Sequence, residues 1–203
     1  MPVFYGLVSA PSNTSNADGQ NAAILQGKAG ELIDSALHGK YYTASYRNRV
    51  FATGILIAGI TIPVNTTTAP TFTLFNPLGS GVNVELISLD IGWPAAATTV
   101  VATLLGTTSV QTPTSVTAGS TYCMNVGGSG VAQAKLYTAA TIVASTQHHP
   151  LLQVTSTVDA MTASHYDFDG KFLLAPGSLM TLTSTPVQTG VAQPVMDFAE
   201  WPL

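Results

Sequence analysis

Charge is what this chain has least of. Only 8% of its 203 residues are Asp, Glu, Lys or Arg, against about 25% in an average soluble domain. No basic residue stands between Arg49 and Lys135, and no acidic one between Asp90 and Asp159. A surface that grips nucleic-acid phosphates needs clustered Lys and Arg, so a nucleic-acid partner is not expected. Cys123 is the only cysteine, which excludes an intrachain disulfide and with it a disulfide-stapled secreted scaffold. Long apolar runs are missing too. A membrane helix needs about 18 uninterrupted apolar residues, and the best stretch, 50–64, is broken by Thr53, Gly54, Gly59, Thr61 and Pro63. It reads as a pair of strands, and no membrane partner is expected. Residues 1–10 lack the basic start and apolar run of a signal peptide, so the expectation is synthesis in a cytoplasm without export. The triplets Asn13-Thr14-Ser15 and Asn65-Thr66-Thr67 then match the glycosylation pattern by chance.

What fills the space left by charge is threonine. The chain holds 28 of them, many alternating with Val, Leu and Ala, within a composition that is 46% hydrophobic. Threonine is β-branched and suits a half-buried pleated surface. A net charge of −4 gives copies of such a surface little electrostatic reason to stay apart. Dense packing against other protein is the expected use.

Two regions separate on composition. Four of the six basic residues fall within the first 49 positions, together with the polar run 12–20. Residues 22–34 suggest two short strands about a Gly-bounded turn, and 35–46 fit an extended arm better than a helix. Residues 1–48 are therefore expected to form an N-terminal arm, and 49–203 one domain. In the latter, short apolar-alternating runs recur at 50–58, 71–75, 82–92, 99–105, 132–144, 151–158, 165–168, 172–174, 179–183 and 195–201. Between them lie breaks such as Asn76-Pro77-Leu78-Gly79, Trp93-Pro94 and Ala175-Pro176-Gly177. Eight to ten short strands so punctuated indicate an all-β fold, and a jelly-roll-like β-sandwich fits the count best. Asp169-Gly170 is the composition of a tight hairpin turn needing positive φ. Residues 84–91 carry apolar side chains on both alternating faces, which marks a central strand or one buried by a neighbouring subunit.

The residues able to carry chemistry are few. In a strand, His165, Asp167 and Asp169 would share one face, and an imidazole with two carboxylates could hold a divalent cation. A solvated face opposite Tyr166 and Phe168 explains the same pattern, so no metal site is assigned. His148 and His149 diverge if extended. They fit a loop before a strand, or a cluster on the axis of an oligomer. Cys123, between Tyr122 and Met124, looks like a small buried hydrophobe rather than a reactive thiolate. No serine stands in a G-x-S-x-G elbow, and Gly127-Gly128-Ser129-Gly130 has no phosphate-loop lysine, so it is expected to be a flexible turn. Trp93, Trp201, Tyr41, Tyr42 and Tyr46 could stack on sugars, though core or subunit contacts are the commoner use of aromatics. No catalytic residue and no cofactor is expected.

Three stretches resemble tailed-bacteriophage virion structural proteins. One runs from Gln26-Gly27-Lys28-Ala29-Gly30-Glu31-Leu32 to Leu37-His38-Gly39-Lys40-Tyr41-Tyr42. The second runs from Thr66-Thr67-Thr68-Ala69-Pro70-Thr71-Phe72 through Leu74-Phe75-Asn76-Pro77 to Gly79-Ser80-Gly81-Val82-Asn83. The third joins Ala175-Pro176-Gly177-Ser178 to Phe198-Ala199-Glu200-Trp201-Pro202-Leu203. The resemblance implies a jelly-roll-like head decoration or auxiliary protein, located in the virion and bound to the phage capsid or other virion proteins. It also implies a homo-oligomer, with a trimer favoured by analogy among sandwich proteins. A glycan- or receptor-binding tail or fibre appendage is the alternative. The long spine helix of a major capsid protein is not readable in the sequence.

Overall fold

The computed structural model of the protein describes residues 40–55, 59–94, 103–152, 162–185 and 190–203. The chain divides into two units, Met1–Tyr42 and Thr43–Leu203. Of the first, only Lys40 to Tyr42 is described, with Lys40 Nζ 5.0 Å from the centre of the Tyr41 ring. The arm expected over 1–48 and the two strands expected over 22–34 therefore lie, as far as residue 39, outside the described residues.

Where the arm was to continue there is a helix, α1 (Tyr42–Tyr46). Its single buried residue, Ala44, is the best helix former available. It ends because Asn48 takes a left-handed conformation, φ 58°, which Asn tolerates better than most residues. The amide of Arg49 then closes on Ala44 O at 2.9 Å.

Strands follow in the order β1 (Val50–Gly54), β2 (Thr73–Phe75), β3 (Val82–Trp93), β4 (Thr103–Thr108), β5 (Thr114–Ala118), β6 (Thr121–Cys123), β7 (Lys135–Thr141), β8 (Gln147–Leu152), β9 (Thr162–Asp167), β10 (Leu173–Leu174), β11 (Leu179–Ser184) and β12 (Gln193–Pro202). They form two antiparallel sheets packed face to face. In the first, β3 pairs with β12, β12 with β1 and β1 with β6, while β9 and β10 both pair with the other side of β3. The second has the order β5-β7-β2-β11-β4-β8. Eight of these strands give the orders β9-β3-β12-β1 and β8-β4-β11-β2. Among those eight, the chain changes sheets at every step except from β4 to β8. That is the jelly roll expected from the sequence.

The inserted strands β5 to β7 were only partly foreseen. Residues 132–144 were expected to form a strand, as β7 does, but β5 and β6 were not anticipated. Their runs are short and Thr-rich, with no alternation of apolar and polar side chains. The insertion extends both sheets on one side, because β7 and β5 continue the second sheet past β2 and β6 continues the first past β1. Only Gly119 and Ser120 link β5 to β6, a reach of about 3.5 Å per residue, so the two sheet edges meet there and close that side. Thr53 Oγ1 donates to Ser120 O at 2.8 Å. The link fits because residue 119 lacks a side chain: a Cβ there would lie 2.5 Å from Leu136 Cδ2.

The main core draws Phe51, Val84, Leu86, Leu89, Ile91, Trp93, Met196 and Phe198 from the first sheet and Leu74, Leu105, Leu136, Met180 and Leu182 from the second. The two-faced apolar pattern of 84–91 has a more specific origin than central placement alone. Opposite Asp197 and Phe198 of β12, the register of β3 jumps from Ser88 to Leu86. Ile87 is thus the extra residue of a β-bulge. Val84 and Leu86 point inward on one side of the bulge, and Leu89, Ile91 and Trp93 on the other, all buried. Ser88, Asp90 and Gly92 are thereby turned to the outer face.

Candidate functional site

Opposite the closed side, among the described residues, the sandwich is open between β8, the edge of the second sheet, and β9 and β10 of the first. Both β9 and β10 run antiparallel to β3, with Asp167 opposite Ser88 and Leu173 opposite Glu85. Asp169-Gly170 therefore does not make the expected hairpin. Both residues do adopt the positive φ that the dipeptide suggests, 48° and 73°, but they throw the chain outward between two collinear strands. The reason is tertiary, because the open side of β3 accepts both segments, so neither needs the other as partner. Phe168 N donates to Ile87 O at 2.8 Å and Leu86 N to Phe172 O at 3.0 Å, which pins the excursion at both ends.

This excursion builds a mouth. It carries Phe172 across the gap, edge-to-face with Phe168 at 5.3 Å between centroids and with His149 of β8 at 4.7 Å. A cleft of about 250 Å³ on one side is lined by Thr107, Thr108, Gln147 and Ser178 among others. A second, of about 260 Å³, is lined by Pro150, Leu151, Tyr166 and Asp167. His149, Lys171 and Phe172 line both clefts. The wall at Ser178 and Leu174 is fixed from below by buried Asn76, whose backbone N donates to Ser178 O at 3.0 Å and whose Nδ2 donates to Leu174 O at 2.9 Å. Thr108 Oγ1 is buried without a hydrogen-bond partner among the described residues. Burial also pushes the Tyr166 hydroxyl pKa up.

His148 and His149 are thus not in a loop before a strand; they are residues of β8, opposite Gly106 and Leu105. Their side chains diverge, as alternation requires. His148 Nε2 lies 3.0 Å from Ser145 O, and His149 joins the mouth. The strand starts earlier than the sequence suggests because β4 offers Thr107 as a partner to Gln147, both along the ladder and through a 3.0 Å side-chain hydrogen bond.

A second group stands on the outer face of the first sheet. His165 and Asp167 of β9 point outward there, as expected, but Asp169 has left the strand for the turn. The imidazole finds its partner on the neighbouring strand instead, with His165 Nδ1 2.7 Å from Asp90 Oδ1. That hydrogen bond, and then the charge of Asp90, raise the His165 pKa above its ordinary value, with Asp167 and Asp197 adding to the effect. Ser88 donates to Asp197 at 3.1 Å rather than to the histidine. Burial raises the Asp197 carboxyl pKa against that hydrogen bond. Among the described residues, no three His, Cys, Asp or Glu side chains stand together as a metal ion requires. The two side chains are exposed, so the pair can exchange a proton with solvent.

The other singled-out residues fall into place singly. Trp93 is buried in the core, and Trp201 Nε1 donates to Glu85 Oε2 at 2.6 Å; Tyr42 and Tyr46 are exposed on α1. Cys123 is half-buried at the core margin, 3.7 Å from Asn48 Oδ1. Gly127-Gly128-Ser129-Gly130, expected as a flexible turn, is packed against Asn48, where a Cβ on Gly130 would come within 2.7 Å of the Asn48 Cβ. Sequence reasoning missed Glu200. It is buried, accepts from Ala134 N at 2.8 Å, and has its pKa raised by burial. Its place in the alternation with Met196 and Phe198 was the signal.

The closed side differs in chemistry. Residues 91–134, which include the β5–β6 insertion, contain no Asp, Glu, Lys, Arg or His. They expose Val116, Tyr122, Met124, Val126 and Val131, with Val126 95% accessible. Among the described residues, no helix is long and apolar enough to cross a membrane. Comparison with known proteins yielded no match to a family model, a curated protein or a solved structure.

Proposed function

We propose that the chain is a non-enzymatic structural subunit of a tailed-bacteriophage virion, a capsid decoration or auxiliary head protein that self-associates and binds the shell. The observation that carries this reading is the uncharged, apolar rim that β5, β6 and the segment up to residue 134 present. Sheet edges are ordinarily guarded by charge, and exposed apolar patches mark contact surfaces. Apart from this rim the chain carries a net −4, so copies meet with least repulsion along it. The three stretches that resemble virion proteins supply the setting, and assembly would take place in the host cytoplasm. A trimer is the favoured state.

Sedimentation velocity of the purified chain tests self-association. An oligomer that persists in high salt, and that Val126→Lys with Tyr122→Lys converts to monomer, is the expected result. A monomer at every concentration, or an oligomer that moderate salt dissociates, refutes it. Electron microscopy of particles carrying a tagged copy tests the setting, with density on the head shell expected. The aromatic mouth favours a second reading, a glycan- or receptor-binding tail or fibre appendage, and density on the tail would select that one.

A further inference from the structure

The mouth between β8 and the β9–β10 excursion gathers charged, polar and aromatic groups in one place. Within two adjoining clefts of about 250 and 260 Å³ it brings together one cation (Lys171), one carboxylate (Asp167), the Gln147 amide, and the rings of His149, Tyr166 and Phe172. We propose that this mouth is a saccharide-binding site, taking two linked sugar units draped across Phe172 and His149.

The ligand class follows from what the lining satisfies and what it does not. Lys171 and Asp167 together leave the second cleft with no net charge, so a strongly anionic ligand is not selected. A purely apolar ligand would strip water from the Gln147 amide nitrogen and the Asp167 carboxylate and leave the Thr108 hydroxyl, which has no partner among the described residues, still unanswered, at a desolvation cost. An added peptide strand would need a regular edge on β8, and Pro150 removes one of its ladder donors. A polyhydroxylated ring meets all of these conditions. Its hydroxyls both donate and accept, answering ammonium, amide and carboxylate alike, while its C–H face packs on aromatic rings. Small-molecule sites are typically clefts with apolar walls and a few converging polar groups. Two clefts that share Phe172 fit two units better than one.

This inference takes up the chemistry of the second reading but not its place on the virion. A binding failure and a localisation failure are therefore separate results. The test is amide-detected NMR of the full chain titrated with cellobiose, lactose and N,N′-diacetylchitobiose up to about 50 mM, in the millimolar range where weak ligands saturate. At least one disaccharide should shift the amides of His149, Lys171 and Phe172 saturably. Phe172→Ala should weaken that binding about tenfold, near 1.4 kcal/mol. Because Phe172 also packs on Phe168, Lys171→Ala and Gln147→Ala serve as surface variants that keep the fold, each expected to weaken binding several-fold. The proposal fails if none of the three sugars produces saturable shifts at the mouth, or if all variants bind as the parent does. It also fails if inorganic phosphate alone reproduces the shifts, for the site would then be one for anions.

Discussion

The backbone of Gly128 passes so close to Asn48 that a Cβ at position 128 would stand 2.3 Å from Asn48 Oδ1. The same oxygen accepts from Asn125 Nδ2 at 2.7 Å. The glycine-rich segment is therefore a fitted clasp on the residue that ends α1 and starts the sandwich. Gly128→Ala must displace the Asn48 amide and also meet Asn125 O, 2.9 Å from the added carbon. The expected loss is about 1–3 kcal/mol of stability, the usual cost of overpacking, read from urea unfolding. Gly127→Ala meets no neighbour within 4 Å but has φ 85°, so its smaller loss, about 1 kcal/mol, comes from backbone strain alone.

The bulge at Ile87 makes a prediction that strict alternation would not. Leu89→Ser should cost about 3 kcal/mol or more, since it empties a buried site and places a hydroxyl there. Ile87→Ser should cost under about 1 kcal/mol, because the half-exposed Ile87 is the unpaired extra residue. Equal losses in chemical denaturation would show that the phase change along β3 is misplaced.

Glu200 gives a pH dependence with a definite sign. Its folded pKa is raised from an ordinary value near 4.5, chiefly by burial. The folded chain therefore holds this proton more tightly than the unfolded chain. The stabilisation from that proton is complete below the unfolded value and is lost as pH rises through the folded one. Denaturation midpoints should show this contribution declining from about pH 4.5 upward. Glu200→Gln should flatten the profile in that window, and an identical profile in the variant would assign the effect to other groups, of which Asp197 is the first to examine.

On the outer face, NMR titration should find His165 titrating above its ordinary value of 6.5. Asp90→Asn should bring it down, because Asp90 supplies both the hydrogen bond and the largest charge effect. Asp167→Asn should lower it less. If Asp167→Asn has the larger effect, the partner seen across β9 and β3 is not the one that matters in solution.

Much of this molecule was legible in advance for a simple reason. Strand runs such as 179–183 and 195–201 state their burial through composition and are stopped by Pro, Gly and Asn, both of which are local properties. The positive φ at Asp169 and Gly170 was readable in the same way. The hairpin inferred from them was not, since a turn dipeptide fixes local geometry but not which strand receives the chain afterwards. The mouth escaped notice because its aromatic corner joins His149 of one sheet to Phe172 of the other, 23 positions away. The His165–Asp90 pair spans 75 positions, on the face of β3 to which the bulge at Ile87 turns Asp90.

The sequence by itself determined an all-β chain with little charge, its polarity supplied by threonine and its strand breaks set by turn residues. Tertiary structure alone decided which edges closed and which stayed open. The two-residue link from β5 to β6 seals one side with uncharged surface, and the outward throw at Asp169-Gly170 leaves the other side with a lined mouth. The physical reason is that propensity and periodicity act within a few residues, whereas edge closure depends on which strand each free backbone ladder finds as its partner.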